Sequence, residues 1–97
     1  MPSADEIRHD RTGHRGAFFT ERGDKRIAEM TYSVAGELRI IIDHTDVSDE
    51  LRGTGTGAKL VAAAVEWARA ERKLIVPLCP FAKSVFDKTP AYRDVLA

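Results

Sequence analysis

An alanine-rich run at residues 58–72 lies between two short apolar runs and constrains the fold more than any other feature of the sequence. Its apolar side chains recur at helical spacing, with charged side chains on the opposite side; the apolar set is Leu60, Val61, Ala64, Val65 and Ala68. The flanking runs, residues 38–44 and 73–79, have the length and composition of buried strands. A strand, a helix and a strand in this order form a β-α-β crossover, so we expect the two strands to lie parallel.

The residues before this crossover carry the signals of antiparallel strands joined by tight turns. Residues 7–9 predict a weak first strand and residues 17–21 a second, separated by a polar turn at residues 11–15. Residues 27–34 alternate with a period of two, as a half-buried strand does. Residues 81–87 predict a short helix after the crossover. The sequence therefore predicts an α+β fold with a mixed sheet: an antiparallel N-terminal meander, a β-α-β unit and a short C-terminal helix.

Size and composition limit the possible functions. The 97 residues fit a single domain, residues 1–97. Because 15 basic and 15 acidic residues balance, no overall field favours nucleic acid or a membrane surface, and we expect neither as a partner. The lone cysteine, the absence of a membrane-spanning run and the absence of an apolar signal region predict a cytoplasmic protein. With that cysteine, His9 and His14 form no recognisable metal site, so no metal is expected.

The run LRGTGTGAKL, residues 51–60, places three glycines at alternate positions immediately before the predicted helix. Glycines allow backbone N–H groups to converge, since no Cβ atoms stand in the way. The start of a helix adds unsatisfied N–H donors and the positive end of its dipole. The run therefore predicts a cradle for a pyrophosphate group.

Two common phosphate motifs do not account for this run. A P-loop requires Gly-Lys-Ser/Thr at residues 58–60, where the sequence reads Ala-Lys-Leu. The dinucleotide pattern Gly-x-Gly-x-x-Gly/Ala is matched by Gly53, Gly55 and Ala58. However, residues 46–51 separate this pattern from the preceding strand, and the strand after the helix does not end in the required acidic residue.

Residues 52–57, RGTGTG, have the form Arg-x-x-Gly-x-Gly, and in this the sequence resembles the Gcn5-related N-acetyltransferases. Members of that superfamily hold the pyrophosphate of acetyl-coenzyme A with this pattern. The segments HTDV (44–47), ELRGTGTGAKLV (50–61) and PLCPF (77–81) together are similar to its small, stand-alone, one-domain members. The resemblance runs from about residue 38 to the end of the chain, and the front hairpins are consistent with it in length.

The resemblance implies that acetyl-coenzyme A is the co-substrate and wedges between two parallel strands that splay apart, residues 38–47 and 73–79. Backbone groups of Thr45, Asp46 and Val47 would face the pantetheine and the thioester carbonyl. The pyrophosphate would be held by Arg52, Gly53, Thr54, Gly55, Thr56 and Gly57. Lys59, one turn into the helix, is either a further positive charge near the phosphates or a solvated helix lysine.

Cys79 and His44 are the candidate catalytic residues. By resemblance Cys79 lies beside the acetyl thioester, where it either lines the pocket or accepts the acetyl group itself, which would require a lowered pKa. In the alternative that we favour, an amine attacks the thioester directly after His44, Asp46 or Glu50 removes its proton.

The tyrosine that often protonates the leaving thiolate in the superfamily corresponds to Phe86, which has no proton to give, and the spacing does not support Tyr92 as its substitute. Two functions therefore remain open. The first is an N-acetyltransferase that acts on an amine acceptor, such as a protein lysine or N-terminus, in a ternary complex. The second is a non-catalytic coenzyme A-binding or sensor module. Either would act as a monomer or homodimer.

Overall fold

The computed structural model describes residues 6–97 as a five-stranded sheet with helices packed against it. The strands are β1 (Arg8–Thr12), β2 (Arg15–Arg22), β3 (Lys25–Ala35), β4 (Arg39–Val47) and β5 (Leu74–Pro77). The α-helices are α1 (Thr56–Glu71), between β4 and β5, and α2 (Pro80–Lys88), after β5. Two 3-10 helices span Asp49–Leu51 and Pro90–Val95.

The strands follow one another across the sheet in chain order. Successive pairs from β1 to β4 are antiparallel, because tight turns connect them, and β4 and β5 are parallel, because α1 carries the chain back between them. The predicted α+β class, the mixed sheet, the crossover and the short helix after it are confirmed.

The core lies between the sheet and α1. The five apolar residues that predicted the helix are fully buried and share one cluster with Met30 and Tyr32 of β3 and with Ile40 and Ile42 of β4. On β3 the buried positions alternate with half-buried polar ones such as Glu29, as its period of two predicted. This face of the sheet therefore closes against the helix, which contacts β2, β3, β4 and β5.

An extra residue in β4 changes which of its side chains face the core. Tyr32 pairs with Ile42 and Thr31 with His44, so Asp43 has no opposite residue in the register of β3. Residues directly opposite each other in a sheet lie on the same face. After the bulge, His44 therefore lies with Thr31 on the face away from α1. The next residue, Thr45, pairs with the buried Met30 and turns toward the core.

Several boundaries differ from the prediction in polar stretches. β1 extends to Thr12, so the predicted polar turn is reduced to residues 13–14; an edge strand tolerates the exposed polar side chains of β1. β4 continues to Val47, beyond the strand at residues 38–44 that the apolar run predicts. The 3-10 helix Pro90–Val95 was not predicted.

The crossover also differs in two details. β5 ends at Pro77 rather than at Cys79, because proline has no N–H to continue a ladder, and Cys79 becomes the residue that precedes α2. α1 begins at Thr56 rather than at residue 58, so its first turn includes the last glycine of the run.

Candidate functional site

β4 and β5 are paired along only part of their length, which opens a gap in the sheet. Their pairing begins at Arg39 with Leu74 and ends at Ile42 with Pro77, and the N–H of Cys79 then donates to the carbonyl of Ile42 at 3.1 Å. Beyond that bond the chain turns into α2, whereas β4 continues to Val47. In the described part of the chain, no strand pairs with this outer edge of β4, so its backbone groups face the gap.

A cavity of 410 Å³ occupies this gap. It is bounded by the end of β4, the glycine run, the first turn of α1 and one side chain from α2. The predicted coenzyme-binding residues that line it are Thr45, Asp46, Val47, Arg52, Gly53, Gly55, Thr56 and Gly57. Its other lining residues, Leu51, Ala58 and Phe81, were not predicted to bind the coenzyme.

The three glycines of the run serve two different structural needs. Gly53 and Gly55 have φ angles of 79° and 82°, which L side chains rarely adopt, and a Cβ on either would meet no other atom within 4 Å. They are therefore needed for backbone conformation. Gly57 is helical, but a Cβ there would lie 2.6 Å from Cζ of Phe81, so this position needs a glycine for space.

The first turn of α1 presents unpaired backbone donors to the cavity. The N–H of Lys59 donates to the carbonyl of Gly55 at 3.0 Å and is the first helical hydrogen bond. The N–H groups of Thr56, Gly57 and Ala58 precede it and have no intrahelical acceptor. Gly55 caps the helix and has no side chain to satisfy them. Since all three residues line the cavity, the positive end of the helix dipole and these donors form a site suited to an anion.

Arg52 is the cationic side chain that lines the cavity. Its Nε lies 3.1 Å from Oδ1 of Asp49, and the two side chains are 76% and 92% exposed. An ion pair this exposed is weak, so the guanidinium can turn toward a bound anion. The side chain of Lys59 does not line the cavity.

Thr54 stabilises the loop from within rather than lining the cavity. Its hydroxyl donates to the carbonyl of Leu51 at 2.5 Å and lies 2.7 Å from the Thr56 hydroxyl. These bonds fix the path of the chain between the two glycines with positive φ. They therefore preorganise the loop that forms the anion site.

Cys79 lies behind the cavity wall. It is 6% exposed and does not line the cavity, and its thiol donates to the hydroxyl of Thr45, which does, at 3.4 Å. Burial by itself would raise the pKa of the thiol, but the deprotonated sulfur can accept hydrogen bonds from the Thr45 hydroxyl and from backbone groups of Ala82, Phe81 and Thr45, and these leave that pKa lowered. The fold thus favours a thiolate at this position more than an apolar core would.

The other candidate catalytic residues are distributed around the gap. His44 is exposed on the face away from α1 and does not line the cavity, whereas its neighbour Asp46 does. The carboxylate of Glu50 lies 3.6 Å from the guanidinium of Arg22. Tyr92 packs edge-on against Phe86, with ring centroids 5.8 Å apart, and does not line the cavity.

No group of three or more His, Cys, Asp or Glu side chains among residues 6–97 is arranged to hold a metal ion. Within the same range, none of the helices combines the length and apolar character needed to cross a membrane.

Comparison with known proteins identifies the family of this chain. The family model of GCN5-related N-acetyl-transferases matches residues 17–95. The chain belongs to this family. The match extends over β2 to the second 3-10 helix and includes every residue that lines the cavity. No protein of curated function matches the chain.

Solved structures share the same fold. The solution structure of a GCN5-like protein from Staphylococcus aureus is 38% identical, has a TM-score of 0.76, and matches over 99% of this chain and 91% of its own. Ribosomal-protein-alanine N-acetyltransferase from Brucella melitensis biovar Abortus 2308 has a TM-score of 0.58 at 16% identity, over 87% of this chain and 62% of its own. A GNAT-family protein from Bacteroides thetaiotaomicron has a TM-score of 0.54 at 20% identity, over 86% of this chain and 48% of its own. At 16% and 20% identity, the likeness to these last two shows the fold alone.

Proposed function

We propose that this GCN5-related N-acetyltransferase binds acetyl-coenzyme A in the 410 Å³ cavity and transfers its acetyl group directly to an amine in a ternary complex. The observation that carries the proposal is the first turn of α1. There, the unpaired N–H groups of Thr56, Gly57 and Ala58 line a cavity that also includes the exposed guanidinium of Arg52. An anionic group with several oxygen acceptors, such as a pyrophosphate, fits these donors.

The rest of the coenzyme would follow the open edge of β4. The pantetheine arm carries amide groups, and the unpaired backbone of residues 45–47 offers them hydrogen bonds of the kind that a neighbouring strand would make. This arrangement would bring the thioester to the point where β4 and β5 separate. Thr45, whose hydroxyl accepts from Cys79, lies at that point.

Direct attack requires an uncharged amine next to the thioester carbonyl. Of the three candidate bases, Asp46 lines the cavity, so we assign it the role of orienting the amine and receiving its proton. The nitrogen then bonds to the carbonyl carbon, the carbon–sulfur bond breaks, and coenzyme A leaves as the thiol after taking up a proton. A primary amine such as a protein lysine or N-terminus is the acceptor class that this step requires.

Cys79 has a supporting role in this scheme. It is buried and does not line the cavity, and its thiol is bonded to Thr45, which does. This position supports direct transfer over an acetyl-cysteine intermediate, with Cys79 holding Thr45 in place beneath the acetyl group.

The test is a calorimetric titration of the wild type and of Ala58→Glu with acetyl-coenzyme A, with NAD and ATP as control ligands. Ala58 is exposed, helical and lines the cavity, so the new carboxylate would occupy the anion site without backbone strain. We expect Ala58→Glu to weaken acetyl-coenzyme A binding by at least about tenfold, which corresponds to ~1.4 kcal/mol. Its thermal stability should not fall, because a negative charge at a helix N-terminus is favourable.

Ala70→Glu is the matched control, because Ala70 is exposed near the other end of α1 and does not line the cavity. It should bind acetyl-coenzyme A as the wild type does. Equal affinity in wild type and Ala58→Glu would show that the first turn of α1 does not hold the pyrophosphate.

A further inference from the structure

A second, smaller cavity shares Asp46 with the 410 Å³ cavity. It has a volume of 170 Å³ and lies where the start of β3 runs beside the end of β4, lined by residues 25–29, 46 and 48. Sites for whole small molecules measure ~300 Å³ or more, so this second cavity has room for one side chain of a larger partner. Because both cavities touch Asp46, a group bound in one is next to a group bound in the other.

Two unpaired charges of opposite sign line the second cavity. Asp46 and Lys25 are exposed, and neither forms an ion pair within residues 6–97. The other two charged lining residues are already paired, because the Arg26 guanidinium lies 2.7 Å from the Glu29 carboxylate and also binds Asp10. The second cavity therefore offers one free carboxylate and one free ammonium group.

Ser48 leaves a hydrogen-bonding group unused at the same cavity. Its N–H donates to the carbonyl of Ile27 at 2.8 Å, but its hydroxyl oxygen is buried and has no hydrogen-bond partner among residues 6–97. Buried polar atoms nearly always have a partner, so an unpartnered hydroxyl in a residue that lines a cavity indicates a polar ligand. This observation is independent of the two free charges.

We propose that the second cavity holds the part of the acceptor next to its amine, and that the preferred acceptor is a lysine flanked by acidic residues in a polypeptide. This inference rests on the proposed function, in which Asp46 orients the amine and receives its proton. The chain that carries this amine must extend away from the coenzyme, and the second cavity provides space for it beside Asp46. A carboxylate on the acceptor then complements the free ammonium group of Lys25.

The first experiment compares two acceptors that differ in the charge near the amine. Both are blocked pentapeptides with a central lysine, flanked by glutamates in one and by arginines in the other, and release of coenzyme A is followed at low ionic strength. The proteins are the wild type, Lys25→Glu and the control Lys88→Glu. Lys88 is exposed at the end of α2 and lines neither cavity, so its substitution makes the same change in net charge away from the site.

We expect the wild type to have a kcat/KM about threefold to fivefold higher for the glutamate-flanked peptide, the size expected of one exposed ion pair. Lys25→Glu should reverse this preference through KM, with kcat little changed, because the charge acts on binding and not on the chemical step. Lys88→Glu should keep the wild-type preference. An unchanged preference in Lys25→Glu, or the same change in both variants, would overturn the proposal.

The second experiment locates the bound peptide and needs no turnover. The glutamate-flanked peptide is titrated into isotope-labelled protein that is saturated with coenzyme A, and the backbone amide shifts are followed by NMR. We expect the largest shifts at residues 25–29 and at Ser48, which line the second cavity. Shifts confined to other parts of the chain, or no shifts at all, would contradict the inference.

Calorimetry with acetyl-coenzyme A separates this inference from the proposed function. Lys25→Glu should bind acetyl-coenzyme A as the wild type does, because Lys25 does not line the coenzyme cavity. If the wild type binds acetyl-coenzyme A but neither binds nor acetylates the glutamate-flanked peptide, the inference alone is wrong. If the wild type binds no acetyl-coenzyme A, the proposed function is wrong and the inference with it.

Discussion

At the scale of single residues, Asp49 opposes the anion site. Its carboxylate lies 3.1 Å from Nε of Arg52, the cation that lines the cavity. Because both side chains are exposed, their pairing contributes little to stability, but the negative charge reduces the positive potential at the cavity. We predict that Asp49→Asn tightens acetyl-coenzyme A binding by about twofold to fivefold at low ionic strength.

Titration at low and high salt tests this prediction. The gain should shrink as salt screens the interaction. Glu37→Gln removes the same charge from an exposed turn at the opposite end of β4 and should leave the affinity unchanged. If both variants tighten binding equally, the effect comes from net charge and not from Asp49.

At the scale of elements, the residue that caps the C-terminus of α1 has an unfavourable conformation. Arg72 has φ 57° and ψ 48°, the left-handed region that glycine adopts at much lower cost. The cap is otherwise well formed, since the N–H of Lys73 donates to the carbonyl of Ala68 at 2.8 Å. We predict that Arg72→Gly raises the free energy of unfolding by roughly 0.5 kcal/mol, because relief of strain exceeds the extra entropy of the unfolded chain.

The neighbouring position provides the control. Glu71 is exposed and is the last helical residue, so Glu71→Gly should lower the free energy of unfolding by up to about 1 kcal/mol. Urea denaturation measures both variants. If both Arg72→Gly and Glu71→Gly lower the free energy of unfolding, the left-handed conformation of Arg72 is not strained enough for glycine to stabilise the protein.

At the scale of the whole molecule, His9 links the edge strand β1 to the core and to α1. Its Nε2 lies 2.5 Å from the hydroxyl of Tyr32, its ring stacks on Phe18 at a centroid distance of 4.1 Å, and Trp67 of α1 meets it edge-on at 5.0 Å. Partial burial lowers the His9 pKa from its ordinary value of 6.5, with Asp10 opposing the shift and Arg11 adding to it.

The lowered pKa makes stability depend on pH. Just below pH 6.5 the unfolded chain binds more protons at this histidine than the folded chain does, so the free energy of unfolding falls as pH falls. We predict that denaturation from about pH 8 to about pH 5 shows a larger loss of stability in the wild type than in His9→Gln. His14→Gln, in the exposed turn between β1 and β2, should retain the wild-type pH dependence. If the stability of His9→Gln depends on pH as that of the wild type does, His9 is not the source of the pH dependence.

The order of elements could be predicted because its signals are local. The apolar spacing of residues 60–68 defines a helix, the flanking apolar runs define strands, and the return of the chain through the helix makes these strands parallel. The glycine run also predicted an anion cradle at a helix start, where unpaired N–H groups now line a cavity. The sequence by itself therefore determined the fold class and the location of the candidate site.

Only the tertiary structure decided how the side chains surround that site. The bulge at Asp43 puts His44 on the face of β4 away from α1 and Thr45 on the core face, and a bulge depends on pairing with another strand. Likewise, position 57 has no room for a side chain only because Phe81 packs on it from a helix more than twenty residues later in the chain. Local pattern cannot specify such contacts, because residues far apart in sequence meet only when the sheet and both helices have packed together.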